Sequence, residues 1–383
     1  MSRAKRKVMA TSQHQPLKGL LVIAIEQAVA APTCTCRLAD AGARVIKIER
    51  EEGETARHYD KTVHGTSAYF AWLNRGKQSI VLNLKNPEDQ SFARNLINQA
   101  DVFVQNLAPG AIDRMGLSYD ALQETNSKLI MASIVGYGQD TSYSDMRAYD
   151  LLVQAESGVC SVTGSRDEPA KVGVSISDIS TGMNAHAAVL EALIERGLTG
   201  KGRHIEMPMF DGLADWMNVP LLHYDYGKQE TARHGMGHAS VYPYRPYKCA
   251  DGEIVIVVQN PGEWARLCER VLEKSNLIAD QRFHDNPSRL INRDALDDEI
   301  SSVFQRLSRD ELIQRLESAN LAWGAVSSVE NLSSHQALRR ISAFTKDKLF
   351  ELAAPPLHPE LESRKVPELG EHTAAIREEF GTL

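Results

Sequence analysis

In the stretch KVGVSISDISTGMNAHAAVLEALIERGLTGKGRHIEMPM, residues 171–209, one carboxylate stands where it could do chemistry, that of Asp178. A short apolar run, Val172 to Ile176, leads to it. A helical pattern follows, with Ala185, Ala188, Val189, Ala192 and Leu193 at helix spacing. Gly197 is expected to stop that helix, and Gly200, Lys201 and Gly202 to turn the chain into a strand from His204 to Met209. Asp178 is therefore expected at a helix N-terminus, where free N–H groups and the helix dipole favour an anionic carboxylate. Position alone speaks for a simple cap, since Asp is a favoured capping residue. The alternative is a functional carboxylate, and it needs support from elsewhere in the chain.

Other reactive residue types are less well placed. Cys34, Cys36, Cys160, Cys249 and Cys268 are odd in number and scattered, a pattern of reduced thiols in a cytoplasmic protein. Cys34 and Cys36 form C-x-C with no second pair to complete a zinc set. His234 and His238 are four apart, but Gly235 and Gly237 between them argue against a helix and against a metal site. With Arg233 and Arg245 these histidines make a positive cluster around a glycine turn, either solvated or suited to a carboxylate.

The elements that must position these groups alternate. Strands are expected over Leu20–Ile25, Arg44–Glu49, Ser79–Leu84, Asp101–Gln105 and Lys128–Val135. Helices are expected over Ala31–Gly42 and Pro87–Gln99, with a short one near Asp113. Such alternation implies right-handed crossovers and a mainly parallel sheet. The first strand is followed by EQAVAAPTCT, with neither G-x-G-x-x-G nor a P-loop, so the dehydrogenase and NTPase readings lose most of their weight. Asp211 to Gly227 reads as a connector. Beyond it, YPYRPY and EIVIVV suggest an antiparallel piece. Helices follow over Pro261–Glu273, Asn292–Leu307 and Arg309–Asn320, and Ala325–Val329 with a short helix near His335 closes this smaller region. The proline-bearing tail from Arg340 is long and irregular and must rest on something.

The chain has 383 residues, 43% of them hydrophobic, enough for two domains. Its net charge of −7 does not suggest a nucleic-acid partner. No apolar run reaches a membrane span, and no signal-peptide pattern is present. The basic opening, MSRAKRKVMATSQHQ, is expected to be a disordered tail rather than a targeting peptide.

An ordered set of motifs resembles the class III CoA-transferase family, which includes formyl-CoA transferase, carnitine CoA-transferase and α-methylacyl-CoA racemase. The pieces are EQAVAAPTCTCRLADAGARVIKIER, LNRGKQSIVLNLKNPE, DVFVQNLAPGAIDRMGL, LIMASIVGYG, AYDLLVQAESGVCSVTG and SDISTGMNAHAAVLEALIERGLTGKGRHIEMPMFD. VYPYRPYKCADGEIVIVV, DQRFHDNPSRLINRDAL and SSHQALRR follow, so the resemblance runs from about Leu17 to the tail. The wording is most similar to the subgroup of mesaconyl-CoA C1–C4 CoA transferase and its dicarboxylate-handling relatives.

The resemblance implies an α/β fold: a Rossmann-like large domain with a parallel sheet, plus a smaller α+β domain, in an interlocked-ring homodimer. The implied boundaries are 1–209 for the first part of the large domain, 210–228 for a linker, 229–330 for the small domain and 331–383 for the return to the large one. The nucleophile matches Asp178. Contacts to CoA match Val29, Ala30, Arg50, Leu82, Lys85, Asn106, Leu107, Ala108, Arg114, Ile134, Val135, Gly136, Tyr137 and Tyr149. Gly136 and the Gly235–Gly237 turn are candidates for holding an oxyanion, and Gly235, Gly237, Arg233 and His238 for the acyl end. CoA enters as a substrate, with a small carboxylate as its partner and no tightly bound cofactor or metal.

Formyl-CoA transferase has Gln where Val29 stands, Lys where Val135 stands and a longer Gly-rich loop than the turn at Gly235, which speaks against formate and oxalate. Transfer within one molecule, as in mesaconyl-CoA, stays open beside transfer between two. Racemases of this fold carry a His in G-H-D, where this chain has Ala148-Tyr149-Asp150, and no His lies between His64 and His186, so that reading lacks its second base. Retention of Asp178 argues against a catalytically silent CoA-binding protein.

Overall fold

The computed structural model describes residues 15–381. Residues 1–14 of the basic opening segment lie outside the described residues. The chain divides into two compact units. One takes in the chain up to Val159, then Val172–Val219, then Leu338 onward. The other consists of Cys160–Lys171 and Pro220–Ala337.

The first unit is built on six strands: β1 (Leu21–Ile25), β2 (Arg44–Glu49), β3 (Gln78–Val81), β4 (Val102–Gln105), β5 (Ile130–Val135) and β6 (His204–Pro208). All pair in parallel, in the order β3-β2-β1-β4-β5-β6. The parallel sheet expected from the alternation is thus present. Its strands read as near-continuous apolar runs because both faces are covered, and Ile23, Ile46, Phe103 and Ile130 are fully buried. The winding reverses between β1 and β4, so a crevice opens at the carboxyl ends of those strands.

The helix Ala30–Asp40 starts almost at the end of β1, and the long helix Ile176–Thr199 packs across it. The two helices meet closely at Gly182. A methyl added there would run into the Ala30 carbonyl oxygen and lie 2.6 Å from Thr33 Cβ. Gly182→Ala is therefore expected to cost about 1–3 kcal/mol of stability, the usual range for an overpacked core. Thermal unfolding checks it; an unchanged midpoint would mean that the two helices slide apart freely.

The long helix does not stop at Gly197. It runs to Thr199, and Gly200 takes the left-handed turn at φ 74°, with its N–H on the Arg196 carbonyl at 2.8 Å. A helical glycine only weakens a helix; the stop falls where the chain must reverse to enter β6.

The second unit carries β7 (Tyr244–Cys249), β8 (Gly252–Val257) and β9 (Ala322–Gly324), paired antiparallel. The third extended piece thus lies just before the Ala325–Val329 segment expected from sequence. Its core gathers Trp264, Phe283, Leu296, Phe304, Leu312 and Leu316. The segment read as one helix over 261–273 is a helix Pro261–Arg266 followed by a wider π turn, Leu267–Val271. The expected connector is helical throughout most of its length, as Met209–Trp216 and Asn218–Gly227.

The tail is more regular than its prolines suggest. β10 (Arg340–Thr345) and β11 (Lys348–Ala353) form a hairpin, β12 (Arg364–Lys365) lies beside β10, and a helix spans Thr373–Phe380. The tail rests on the edge of β3. The His372 N–H donates to the Ser79 carbonyl at 2.9 Å, the Ser79 N–H to His372 Nδ1 at 3.2 Å, and the Val81 N–H to Thr373 Oγ1 at 3.0 Å. Among the described residues no helix is long and apolar enough to cross a membrane.

Candidate active site

The loop after β1 is shaped by charges buried beneath it. Lys47 of β2 is fully buried between Glu26 at 3.4 Å and Glu54 at 3.1 Å. Lys77 reaches Glu26 at 2.6 Å, and Asn74 Oδ1 accepts from both lysines, at 3.1 and 3.2 Å. Burial alone would raise the Glu26 pKa; Lys77 and Lys47 together hold it below the ordinary value. Glu54 Oε2 then accepts the Ala28 N–H at 2.9 Å, and Ala28 sits in the left-handed region at φ 62°. That conformation costs an alanine roughly 1 kcal/mol, which the buried acceptor offsets. Asn106, after β4, clamps the same loop: Gln27 N–H donates to its Oδ1 at 2.8 Å, and its Nδ2 to the Gln27 carbonyl at 2.9 Å. Two strand-end loops are thereby fixed to each other, and buried Val29 and Ala30 begin a helix that no side chain caps.

A cavity of about 680 Å³ lies at these carboxyl ends. Its apolar wall includes Ile25, Ile48, Leu82, Leu107 and Met115, and Arg50 and Lys85 also line it. Its buried acids are answered from below: Glu26 and Glu54 by the lysines, Glu49 by Arg57 at 2.7 Å. The volume and the mix of apolar wall with a few polar groups suit a small organic ligand. Four of the CoA contacts expected from sequence, Arg50, Leu82, Lys85 and Leu107, line this cavity. Arg114 is exposed, with its guanidinium beside Gly110. Ile134 is buried at the end of β5, and Tyr137 packs between Tyr143 and Phe210 at centroid distances of 5.4 and 5.6 Å. Gly136 is pressed against Ala148, whose side chain fills the place of a Cβ. Tyr149 is 65% exposed.

Asp178 is the third residue of the helix Ile176–Thr199, not its cap. The capping position belongs to Ser175, whose side chain makes no capping bond. The cap comes from a distant residue. Asp150 Oδ1 accepts the N–H of Ser177 at 2.9 Å and of Asp178 at 3.4 Å. Its Oδ2 accepts from Gln154 Nε2 at 2.7 Å, and the buried Gln154 accepts the Val172 N–H at 2.8 Å. Asp178 is half-buried, and among the described residues no hydrogen bond or ion pair to its carboxylate is found. Tyr69 donates or accepts at Ser175 Oγ, 3.3 Å away, and meets Tyr59 edge to face at 5.7 Å.

The electrostatics reverse the expectation of a stabilised anion. Burial pushes the Asp178 pKa up to about 7, and the Asp150 charge adds to the rise. Helix N–H groups that would have favoured the anion are taken by Asp150. The result is a carboxyl group poised near neutrality, without competing partners, at the start of a helix. Such a group can act as a nucleophile once ionised.

In the second unit, Arg233 donates to the carbonyls of Ser165, Ser161 and Arg166 at 2.9, 3.3 and 3.3 Å. It staples 160–171 to the turn. His238 Nδ1 accepts the N–H groups of Ser240 and Val241. The N–H of Gly235 donates to the Gly164 carbonyl and that of Gly237 to the His234 carbonyl, both at 2.9 Å.

Glu26, Lys47, Glu54, Lys77 and Asp150 escaped the sequence reading. One signal was available: a lysine between the two isoleucines of RVIKIE, on a strand expected in the sheet, requires a buried counter-charge. Asp150 was met only as the last residue of Ala148-Tyr149-Asp150; its capping role left no local signal, because its partners lie 27 and 28 residues away.

A family model described as CoA-transferase family III matches residues 17–373. The chain is 32% identical to a succinate–glutarate CoA-transferase of Agrobacterium fabrum over 393 residues, covering 97% of each. It is 33% identical to a succinyl-CoA:mesaconate CoA-transferase of Haloarcula marismortui over 313 residues, covering 79% of this chain and 78% of the relative. The crystal structure of a CAIB/BAIF family protein from Brucella suis superposes with a TM-score of 0.80 at 32% identity, covering 96% of this chain and all of that one.

Proposed function

The chain belongs to CoA-transferase family III, and from that premise we propose that it moves CoA from an acyl-CoA to a small dicarboxylate through Asp178. The observation that carries the reading is the half-buried Asp178 carboxyl, free of competing partners, whose helix start is capped by Asp150 instead. The succinate, glutarate and mesaconate in the relatives' names support the dicarboxylate.

In the proposed cycle the Asp178 carboxylate attacks the thioester carbonyl of the donor. The C–S bond breaks, CoA thiolate leaves, and a mixed anhydride remains. The thiolate attacks the aspartyl carbonyl, releasing the donor's carboxylate and forming an aspartyl-CoA thioester. The acceptor carboxylate attacks that thioester, expelling thiolate and forming a second anhydride. Thiolate then attacks the acceptor's acyl carbon, giving the new acyl-CoA and regenerating Asp178. No net proton is consumed.

The cavity at the strand ends supports a place for the nucleotide end of CoA. Arg50 and Lys85, with exposed Arg114, supply charge for its phosphates, while Leu82 and Leu107 flank the base. Purified protein with succinyl-CoA and a panel of glutarate, mesaconate and itaconate tests the reading; mass spectrometry of the acyl-CoA products should show the acceptor's thioester. Absence of transfer to every dicarboxylate would sink it.

We extend the proposal to an interlocked homodimer. None of the residues of the helix Asn218–Gly227 is buried, and Val219, Leu222 and Tyr226 are 58%, 53% and 84% exposed. Apolar side chains grouped like this favour a partner. Light scattering is expected to give twice the chain mass, and Leu222→Glu with Tyr226→Glu to weaken the assembly. A stable monomer at low micromolar concentration would refute it.

A further inference from the structure

We propose that a cavity at the amino end of β3, walled by that strand and by the tail, binds a compact oxyanion of the phosphate class, which fastens the tail to the sheet. The cavity lies within the first unit, at the opposite end of β3 from the strand-end cavity, and the proposal does not depend on the CoA-transfer reading.

The space measures about 350 Å³, and its lining includes Gln78 from β3 and Arg364, Lys365, Glu371 and His372 from the tail. What these groups have to spare is donors. Gln78 Oε1 accepts from Arg44 Nε at 2.7 Å. An arginine only donates, so the other amide atom of Gln78 is its NH2 group. Ser79 N–H donates to His372 Nδ1 at 3.2 Å, so the imidazole proton sits on Nε2 and the ring is neutral. Burial favours that neutral form. Neither Gln78 Nε2 nor His372 Nε2 has a hydrogen-bond partner among the described residues.

The lining acid is already engaged. Glu371 Oε1 takes Lys365 at 2.6 Å, and its Oε2 takes the Glu368 N–H at 2.9 Å. Lys77 also lines the space, but its ammonium goes to Glu26 at 2.6 Å. Arg364 bonds the Ala39 carbonyl near Asp40, and Asp40 is paired with Arg75 at 2.6 Å. Arg364 and Lys365 against Glu371 leave an excess of one positive charge. Donors spread over two chain segments match a tetrahedral anion, with oxygens on every side, better than a planar carboxylate held by one fork. An anion bonded to Gln78 and to the tail's cations adds to the hydrogen bonds that already hold the tail on β3.

The test adds inorganic phosphate to the full chain, with chloride at equal ionic strength as the control. Phosphate is expected to raise the unfolding midpoint by about 2 °C or more and to slow amide exchange in peptides covering residues 364–373. Gln78→Glu keeps an acceptor for Arg44 and turns the spare donor into an anionic acceptor. His372→Asn keeps an acceptor for the Ser79 N–H and removes the Nε2 donor. Both are expected to weaken phosphate binding measured by calorimetry, Gln78→Glu by about 10-fold or more. Chloride that acts as well as phosphate would overturn the proposal. Equal phosphate affinity in wild type and both variants would place the anion elsewhere and overturn it too. Binding that leaves exchange at 364–373 unchanged would refute the fastening of the tail.

Discussion

Asp178→Asn is expected to bind acyl-CoA and transfer nothing, with a rate loss on the order of 10³-fold or more. The amide is nearly isosteric but cannot open the thioester. The strand-end cavity and its cations are untouched, so CoA affinity should stay close to wild type. Wild-type protein incubated with acyl-CoA and hydroxylamine should lose activity and carry a hydroxamate on Asp178, visible by peptide mass spectrometry. The same variant is expected to be more stable than wild type at and above neutral pH. The folded state raises the Asp178 pKa to about 7 from an ordinary 3.8, so it holds a proton that the unfolded chain releases earlier. That contribution is complete below the unfolded value and is lost as pH rises through the folded one. Asparagine has no such proton to lose, and the gain should reach on the order of 1–2 kcal/mol after allowance for solvent at a half-buried group. Thermal melts at pH 4 and pH 8 separate the two proteins only at the higher pH. A folded, active Asp178→Asn with no labelled carboxylate would refute the mechanism.

The second large effect is on acid. With a nucleophile titrating at about 7, kcat/KM should fall roughly tenfold for each pH unit below that point. Succinate and the CoA phosphate titrate in part of the same range, so the decisive comparison is with Asp150→Asn under identical substrates. The amide of that variant can still accept the Ser177 and Asp178 N–H groups through its carbonyl. The substitution removes the negative charge and loses the Gln154 bond, at about 1 kcal/mol of stability. The acid limb should then move downward, but only part of the way, because burial is the larger cause of the shift. A limb that stays in place would mean that Asp150 caps the helix and does nothing to the nucleophile.

Local pattern was enough for the strands of the parallel sheet, though not for those of the tail. β2 spans the residues its apolar run marked out, and Asp178 stood out because an apolar run and a helix met there. What escaped depends on residues far apart in sequence. Asp150 caps a helix 27 residues on, Glu26 meets Lys77 across 51, and Arg293 reaches His234 across 59. Periodicity reports which face a residue occupies, not which distant group it meets there. The Asp178 shift runs against the dipole argument because burial raises the pKa first, and Asp150, which already holds the N–H groups that argument relied on, adds to the rise.

The hydrogen bonds along the edge of β3 bear on how the chain is made. Ser79 N–H finds its acceptor in His372, 293 residues later, and Val81 N–H in Thr373, 292 residues later. During synthesis the outer strand therefore presents an open template while the other five strands are already complete. At a rate of about 5–20 residues per second, the 293 residues from Ser79 to His372 take roughly 15–60 seconds. Anything that delays or removes residues 370–373 lengthens the exposure of a pairing-competent edge. A ribosome stalled late on this message would hold a nascent chain with nearly all of its sheet assembled and one side still adhesive.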